Sequence, residues 1–334
     1  MNVLRVDPTR PDPKAVTAAV EVLRGGGLVA FPTETVYGLG AHALDADAVA
    51  RIYQAKGRPA YNPLIVHLAS TRDARRLASA WPAAADRLAE RFWPGPLTLV
   101  VPRLRVVPDL VSAGLPTVAL RVPAHPVARA LLEAAGFPIA APSANRSTQV
   151  SPTTAEHVRR SLGDRIDLIL DGGHCPVGIE STVLSLAGDV PTLLRPGTIS
   201  LEEIREVIGD VALPADEPSG TASRPSPGMM DRHYAPRAEL RLFAPEERNN
   251  WFARAREENE GWPVGVIAFE PVPAGLVSVV GMPDDAREYA ARLYAALHEL
   301  DGRGCRVIYA EAVPKGVEWA GVRDRLRRAA TAFD

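Results

Sequence analysis

The sequence predicts two α/β domains of unequal size, on three observations. Short apolar runs such as Leu28 to Phe31 and Leu64 to Leu68 alternate with segments whose apolar residues recur at helical spacing. A stretch rich in Pro, Ser, Ala, Gly and Asp, without periodicity, interrupts the chain at 211–238, as a linker does. Beyond it, strands and helices alternate regularly, the pattern of a small doubly wound, Rossmann-like unit. We therefore expect an N-terminal domain over 1–210 built on a twisted, mixed sheet with helices. The linker at 211–238 should then lead into a C-terminal α/β domain over 239–334.

Taken in order, Pro13 to Arg24 reads as a helix, because Val16, Ala19, Val20 and Leu23 share one face. Leu28 to Phe31 is a buried strand stopped by Pro32, and Thr33, Glu34, Thr35 and Tyr37 crowd the loop that follows. In that loop Gly38 and Gly40 let the backbone turn or come close to a ligand. A helix from about Asp45 to Ala55 ends at Lys56-Gly57-Arg58-Pro59. The strand Leu64 to Leu68, carrying His67, comes next. Helices follow over 71–79 and 82–92, with strands over 97–101 and 117–122. The second of these strands sets Arg121 in an otherwise apolar element. His125 to Ala135 is a helix with Pro126 in its first turn. Ile139 to Ala141 is a short strand that runs into the loop Pro142 to Asn145. Thr153 and Glu156 have the spacing of a capping box for a helix ending near Leu162. Short strands over 166–170, 183–186 and 192–194 precede a last helix capped by Ser200. In the C-terminal part we expect strands over 239–243, 264–269, 276–280 and 306–310. Helices should reach about residue 258 and cover 284–300 and 317–330.

Composition narrows the function classes. The 334 residues carry a formal net charge of −2, which gives no basic footprint for tight non-specific nucleic-acid binding. Direct nucleic-acid binding, to tRNA as to any other, is therefore expected to be weak or absent. No apolar run nears the ~20 residues that span a bilayer, and the first residues lack the apolar core of a signal peptide. Cys175 and Cys305 have no CxxC partner. Together these point to a cytoplasmic protein with two idle thiols.

No P-loop, GxSxG, HExxH or CxxC motif is present, and Gly38-Leu39-Gly40 is too loosely placed for a dinucleotide fingerprint. What remains is a set of polar residues on loops and strand ends: Thr35, Lys56, Arg58, Asn62, His67, Arg121, Ser143, Ser151, Ser181 and Arg195. The four cations could neutralise a polyphosphate and a carboxylate, with hydroxyls supplying orientation. Without an obvious general base, such a set suits attack on a nucleotide phosphate, driven by positioning and charge neutralisation, with Mg²⁺ bridging the leaving group. A structural reading stands beside each. His67 could be a satisfied core histidine, Arg121 an edge-strand cation, and Lys56 and Arg58 helix C-terminal charges worth roughly 0.3–1 kcal/mol.

In order along the chain, FPTETVYGLG (31–40), KGRPAYNPLIVH (56–67), WPGPLT (93–98), TVALRVPAHP (117–126), APSAN (141–145), SPT (151–153), DGG (171–173), GIEST (178–182) and LLRPG (193–197) resemble the threonylcarbamoyl-AMP synthase family with its YrdC-like fold. SPGMMDRHYAP (226–236) and the domain after it resemble the longer, two-domain subfamily. The resemblance implies an enzyme that joins L-threonine, bicarbonate or CO₂, and ATP into threonylcarbamoyl-AMP and pyrophosphate. That product feeds the tRNA threonylcarbamoyl-transferase machinery, which modifies adenosine 37.

Carried over residue by residue, Thr35, His67, Arg121, Ala141 and Ser181 would hold threonine. Arg58, Asn62, Thr117, Ser143, Ser151 and Arg195 would hold ATP, with Lys56 beside the phosphates and Tyr234 reaching back from the linker as part of a lid. Mg²⁺ would be bound mainly through the nucleotide phosphates. At Met230 and Asp231 the chain departs from the family, which carries a basic residue and an aromatic there. Two other readings are a carbamoyl-transfer relative from hydrogenase maturation and an RNA-binding module.

Overall fold

The computed structural model describes residues 2–214, 233–272 and 278–331. The linker motif up to Arg232, with Met230 and Asp231, lies outside them, as do residues 276 and 277 of an expected strand. In the N-terminal part the elements are β1 (Asn2–Arg5), α1 (Pro13–Arg24), β2 (Val29–Pro32), β3 (Tyr37–His42), α2 (Ala46–Lys56), β4 (Ile65–His67), α3 (Thr71–Arg75), α4 (Ala83–Phe92), β5 (Leu97–Pro102), α5 (Asp109–Ser112), β6 (Thr117–Arg121), α6 (Pro126–Ala135), β7 (Ile139–Ala140), α7 (Ala155–Leu162), β8 (Leu168–Asp171), β9 (Thr182–Ser185), β10 (Thr192–Arg195) and α8 (Leu201–Ile208). The C-terminal part comprises β11 (Glu239–Phe243), α9 (Arg248–Asn259), β12 (Val264–Phe269), β13 (Ser278–Met282), α10 (Ala286–Gly302), β14 (Val307–Glu311) and α11 (Ala320–Ala329).

The ten N-terminal strands form one mixed sheet in the order β1-β8-β2-β3-β7-β4-β6-β5-β9-β10. Alternation along the strands separates two cores. Val29 and Phe31 face α1 and α6, whereas Ala30 and Leu39 face the side covered by α2, α4 and α7. The second sheet is parallel, in the order β11-β14-β12-β13. Helix α9 covers the face bearing Val264, Val266 and Ala268. Helices α10 and α11 cover the face bearing Ile267 and Ile308. That second core also takes in Val36, Val150 and Ile179 from the N-terminal part and Tyr234 from the end of the linker. The α10–α11 layer is thus buried on both sides. No helix among the described residues is long and apolar enough to cross a membrane.

Several local expectations change. Residues 37–42 form a strand, β3, rather than a loop, antiparallel to β2 with Val29 opposite Gly40. Glycine is needed there for packing: a Cβ on Gly40 would sit 2.8 Å from the Phe31 ring and 2.9 Å from Ile139. Short β1 completes an edge by pairing in parallel with β8. The expected capping box at Thr153 is not formed. Thr154 caps α7 by accepting the His157 N–H at 3.2 Å, while Glu156 turns to Arg159 and Arg160. A full capping box does start α8, between Ser200 and Glu203.

The packing at Gly40 sets a first test. Gly40→Ala should lower unfolding stability by about 1–3 kcal/mol through overpacking against Phe31 and Ile139. Urea denaturation would measure it, and an unchanged midpoint would contradict the packing described.

Candidate active site

A cavity opens where the β2–β3 turn, the ends of β4, β6 and β10, the loop after β7 and the loop before β9 converge. Pairing register sets its floor, because parallel β4 and β6 place His67 directly beside Arg121. The loops are tied to one another through their backbones. The Gly178 N–H donates to the Thr35 carbonyl at 3.1 Å, Leu39 to Pro142 at 2.7 Å, and Ala144 to Tyr37 at 2.8 Å. Of the residues singled out from the sequence, Thr35, Arg58, His67, Arg121, Ala141, Ser143, Ser181, Arg195 and Tyr234 line this cavity.

Arg121 is buried, and its guanidinium spans three partners. Nη1 donates to Thr35 Oγ1 at 2.9 Å and Nε to the Gly95 carbonyl at 3.2 Å. Nη2 lies 2.8 Å from Glu34 Oε1. That last pair has ion-pair distance but not hydrogen-bond angles, which leaves the Glu34 oxygens and Nη2 without a well-aligned partner. A guanidinium held this way keeps capacity for an incoming carboxylate. Beside it, His67 is buried, and its Nδ1 has no partner among the described residues. Burial and then the Arg121 charge lower its pKa to about 3, so the ring is neutral at pH 7. Sequence periodicity left open whether His67 faces the core or a cavity; the fold sets it in the cavity wall.

At the other end, Arg58 donates to the Asn62 carbonyl at 3.2 Å and the Pro63 carbonyl at 3.0 Å. Burial lowers its pKa to about 10, with Arg195 contributing like-charge repulsion. Arg195 holds Ser181 by its carbonyl at 3.1 Å and its hydroxyl at 3.2 Å. Thr98 also meets that hydroxyl, at 2.8 Å. Tyr234 roofs this end. It is fully buried, its hydroxyl has no hydrogen-bond partner among the described residues, and its backbone sits at φ 60°, a conformation that surrounding contacts must enforce in a residue other than glycine. His233 beside it is also held neutral, chiefly by burial, with a pKa lowered to about 3.

Four expected residues do not reach the cavity wall. Lys56 is buried behind it, donating to the carbonyls of Ser143 (2.5 Å) and Asn145, so it braces the Ser143 loop. Burial, then the Arg58 charge, push its pKa well below the usual lysine range. Asn62 is buried beneath Arg58, and Thr117 is half-buried at the start of β6. Ser151 is turned to Glu180, its Oγ donating to Oε1 at 2.5 Å. Glu180 itself lines the cavity and was missed, although it sits inside the GIEST run. Its other partners, Tyr294 and Arg325, come from the C-terminal part, and no local pattern announces them.

A buried cavity at strand ends, walled by guanidinium groups and hydroxyls, defines an α/β enzyme for an anionic substrate. Comparison with known proteins sharpens this. Residues 21–197 match a family model described as Telomere recombination, and residues 199–331 match one described as Threonylcarbamoyl-AMP synthase, C-terminal domain. The threonylcarbamoyl-AMP synthase of Pyrococcus abyssi is 47% identical over 321 residues, spanning 94% of this chain and 93% of that protein. The Bacillus subtilis protein of the same name is 44% identical over 324 residues, with 96% and 93% covered. The solved structure of P. abyssi Sua5 complexed with L-threonine superposes with a TM-score of 0.93 at 43% identity, over 99% and 98% of the two chains. The chain belongs to the threonylcarbamoyl-AMP synthase family, in its two-domain form.

The two neutral rings give a pH test. Burial holds the pKa of His67 and of His233 down to about 3 in the fold, against the usual 6.5 of a free imidazole. Below pH 6.5 the unfolded chain binds protons that the folded chain refuses. Stability should therefore fall from about pH 6.5 toward 3, by up to ~1.4 kcal/mol per pH unit per ring. Urea midpoints between pH 7 and 4 should show a shallower slope in His67→Gln than in the parent. Parallel slopes would mean that His67 is not held neutral.

Proposed function

We propose that this cavity forms threonylcarbamoyl-AMP and pyrophosphate from L-threonine, bicarbonate or CO₂, and ATP, in the cytoplasm. The observation that carries the reading is one cavity with buried guanidinium groups at two ends, Arg121 at one and Arg58 with Arg195 at the other. In this reading Arg121 takes the threonine carboxylate, while Thr35, His67, Ala141 and Ser181 surround the amino acid. Arg58, Ser143, Arg195 and Tyr234 take the nucleotide. Asn62 and Thr117 support the walls beside it, Ser151 orients Glu180, and Lys56 holds the Ser143 loop from behind. We take 1–210 as the catalytic unit and 239–334 as the C-terminal domain. The described end of the 211–238 linker, His233 and Tyr234, acts as the roof of the site.

The chemistry follows from placement. The threonine amine attacks CO₂ and loses a proton to give a carbamate. A carbamate oxygen then attacks the α-phosphorus in line, and the bond to pyrophosphate breaks. Arg58 and Arg195 stabilise the negative charge that gathers on the leaving group. Closure by Tyr234 keeps water from the carbamate and from the mixed anhydride, both of which decompose in water. Mg²⁺ would supply charge neutralisation and enter on the nucleotide's phosphates. Among the described residues no cluster of His, Cys, Asp or Glu offers it a cage, so no step is assigned to it. The product would pass to the tRNA threonylcarbamoyl-transferase machinery. Similarity along both domains outweighs the carbamoyl-transfer and RNA-binding alternatives.

Pyrophosphate release should require ATP, threonine and bicarbonate together. Arg121→Ala should raise the KM for threonine, and Arg58→Ala the KM for ATP, each on the order of a hundred-fold, as expected when a buried charge partner is removed. Circular dichroism would report folding. Folded variants with full turnover would overturn the assignment, and release without threonine would point to another acyl acceptor.

A further inference from the structure

The C-terminal domain adds no strand to the large sheet, yet it reaches the cavity through one carboxylate. Glu180 lines the cavity and is 7% exposed. One of its oxygens accepts from Ser151 Oγ at 2.5 Å. The other accepts from Tyr294 of α10 at 2.9 Å and from Arg325 Nε of α11 at 2.7 Å. Arg325 is fully buried. It also donates to the Pro196 carbonyl, next to Arg195, at 3.0 Å. Its guanidinium carbon lies 5.1 Å from the centre of the Tyr234 ring, which Tyr294 stacks at 5.9 Å. His298 of α10 sits 3.1 Å from the Ser151 carbonyl. The C-terminal helices therefore hold Ser151 at its carbonyl directly and at its hydroxyl through Glu180, and they back the Tyr234 roof.

The docking leaves no slack. A Cβ on Gly178, just before Ile179 and Glu180, would lie 2.4 Å from the Ala290 carbonyl of α10, and one on Gly321 would lie 2.7 Å from the Gly197 carbonyl. Backbone thus touches backbone at both helices, and the Glu180 loop cannot move independently of them. Threonine's proposed anchor is built differently. Arg121 is held by Glu34, Thr35 and Gly95, all within the N-terminal part.

We infer that the C-terminal domain forms part of the nucleotide end of the site, with Arg325 positioning the Glu180 carboxylate in the cavity wall and backing the Tyr234 ring directly. This rests on the proposed reading of which end takes ATP. Arg325 is a positioning residue, and removing it leaves Glu180 a buried charge without its main partner. The carboxylate then takes up a proton or turns away. Either change shifts the Glu180 wall and the backing of the Tyr234 roof, and weakens ATP binding while the threonine end keeps its contacts.

The experiment uses the full chain and reads two quantities: ATP affinity by calorimetry with MgATP alone, and the KM values for ATP and threonine from pyrophosphate release. Tyr294→Phe deletes one hydroxyl and should weaken ATP binding about three- to ten-fold, the size of one net hydrogen bond. Arg325→Met should weaken it further, with Arg325→Lys in between and the threonine KM held within about two-fold. Adding Glu180→Gln to Arg325→Met should recover part of the loss, because the unpaired charge is gone. Equal rises in both KM values would overturn the inference, as would a lower thermal midpoint with ATP affinity unchanged. If Arg325→Met does not fold, Tyr294→Phe decides alone, and unchanged ATP affinity there overturns it. A parent protein that binds MgATP but releases no pyrophosphate would sink the proposed activity, whereas weaker MgATP binding by the variants would still support Arg325.

Discussion

Positive charge taken out of water is the constraint on which this structure turns. Arg58, Arg121, Arg195 and Lys56 are all buried within one region. Isolated cations there would cost several kcal/mol each in lost hydration. The fold meets that cost only partly. Arg121 has Glu34 behind it and Lys56 has two carbonyls. Among the described residues Arg58 meets carbonyl oxygens rather than a carboxylate. In the proposed function an anionic ligand would complete the balance, and the energy stored in burying these groups would become affinity and, at the leaving group, transition-state stabilisation.

The same constraint explains why the site is built on strand ends rather than mobile loops. A guanidinium pays less when its position is fixed in advance, and the register of β4 beside β6 fixes Arg121 and His67 together. The β2–β3 turn and the loop after β7 are joined to that frame by backbone hydrogen bonds. Each wall therefore inherits the rigidity of the sheet. Tyr234 is the exception, since it is held by side chains of the second domain and by a strained backbone.

The second domain is thereby more than an appendage. Its α10–α11 layer shares a core with Val36, Val150 and Ile179, and its buried Arg325 joins Asp324 and Glu180 into one charge network. Across that same contact, His157 and His298 stack at 3.8 Å with both rings kept neutral mainly by burial. Because burial makes both rings take up protons less readily folded than unfolded, the interface shares the acid sensitivity of the cavity.

Local pattern determined much of this protein. The amphipathic faces of α1, α2 and α6 and the apolar runs of β2, β5 and β6 are written in residue order, because burying one face imposes a period of 3.6 or 2. The turn and cap residues Gly57 and Ser200 likewise act on their immediate neighbours. The motif runs named most of the cavity wall. Tertiary structure alone decided the rest. Strand β3 was hidden because its two glycines weaken strand propensity, and only Phe31 and Ile139 explain why a side chain is excluded there. Which face of its strand His67 turns to the cavity, and that Lys56 points behind it, depend on partners far along the chain. Glu180 and Arg325, 145 residues apart, meet only when the two domains dock. A contact between distant residues leaves no periodic trace in sequence, since its energy is realised only after everything between has folded.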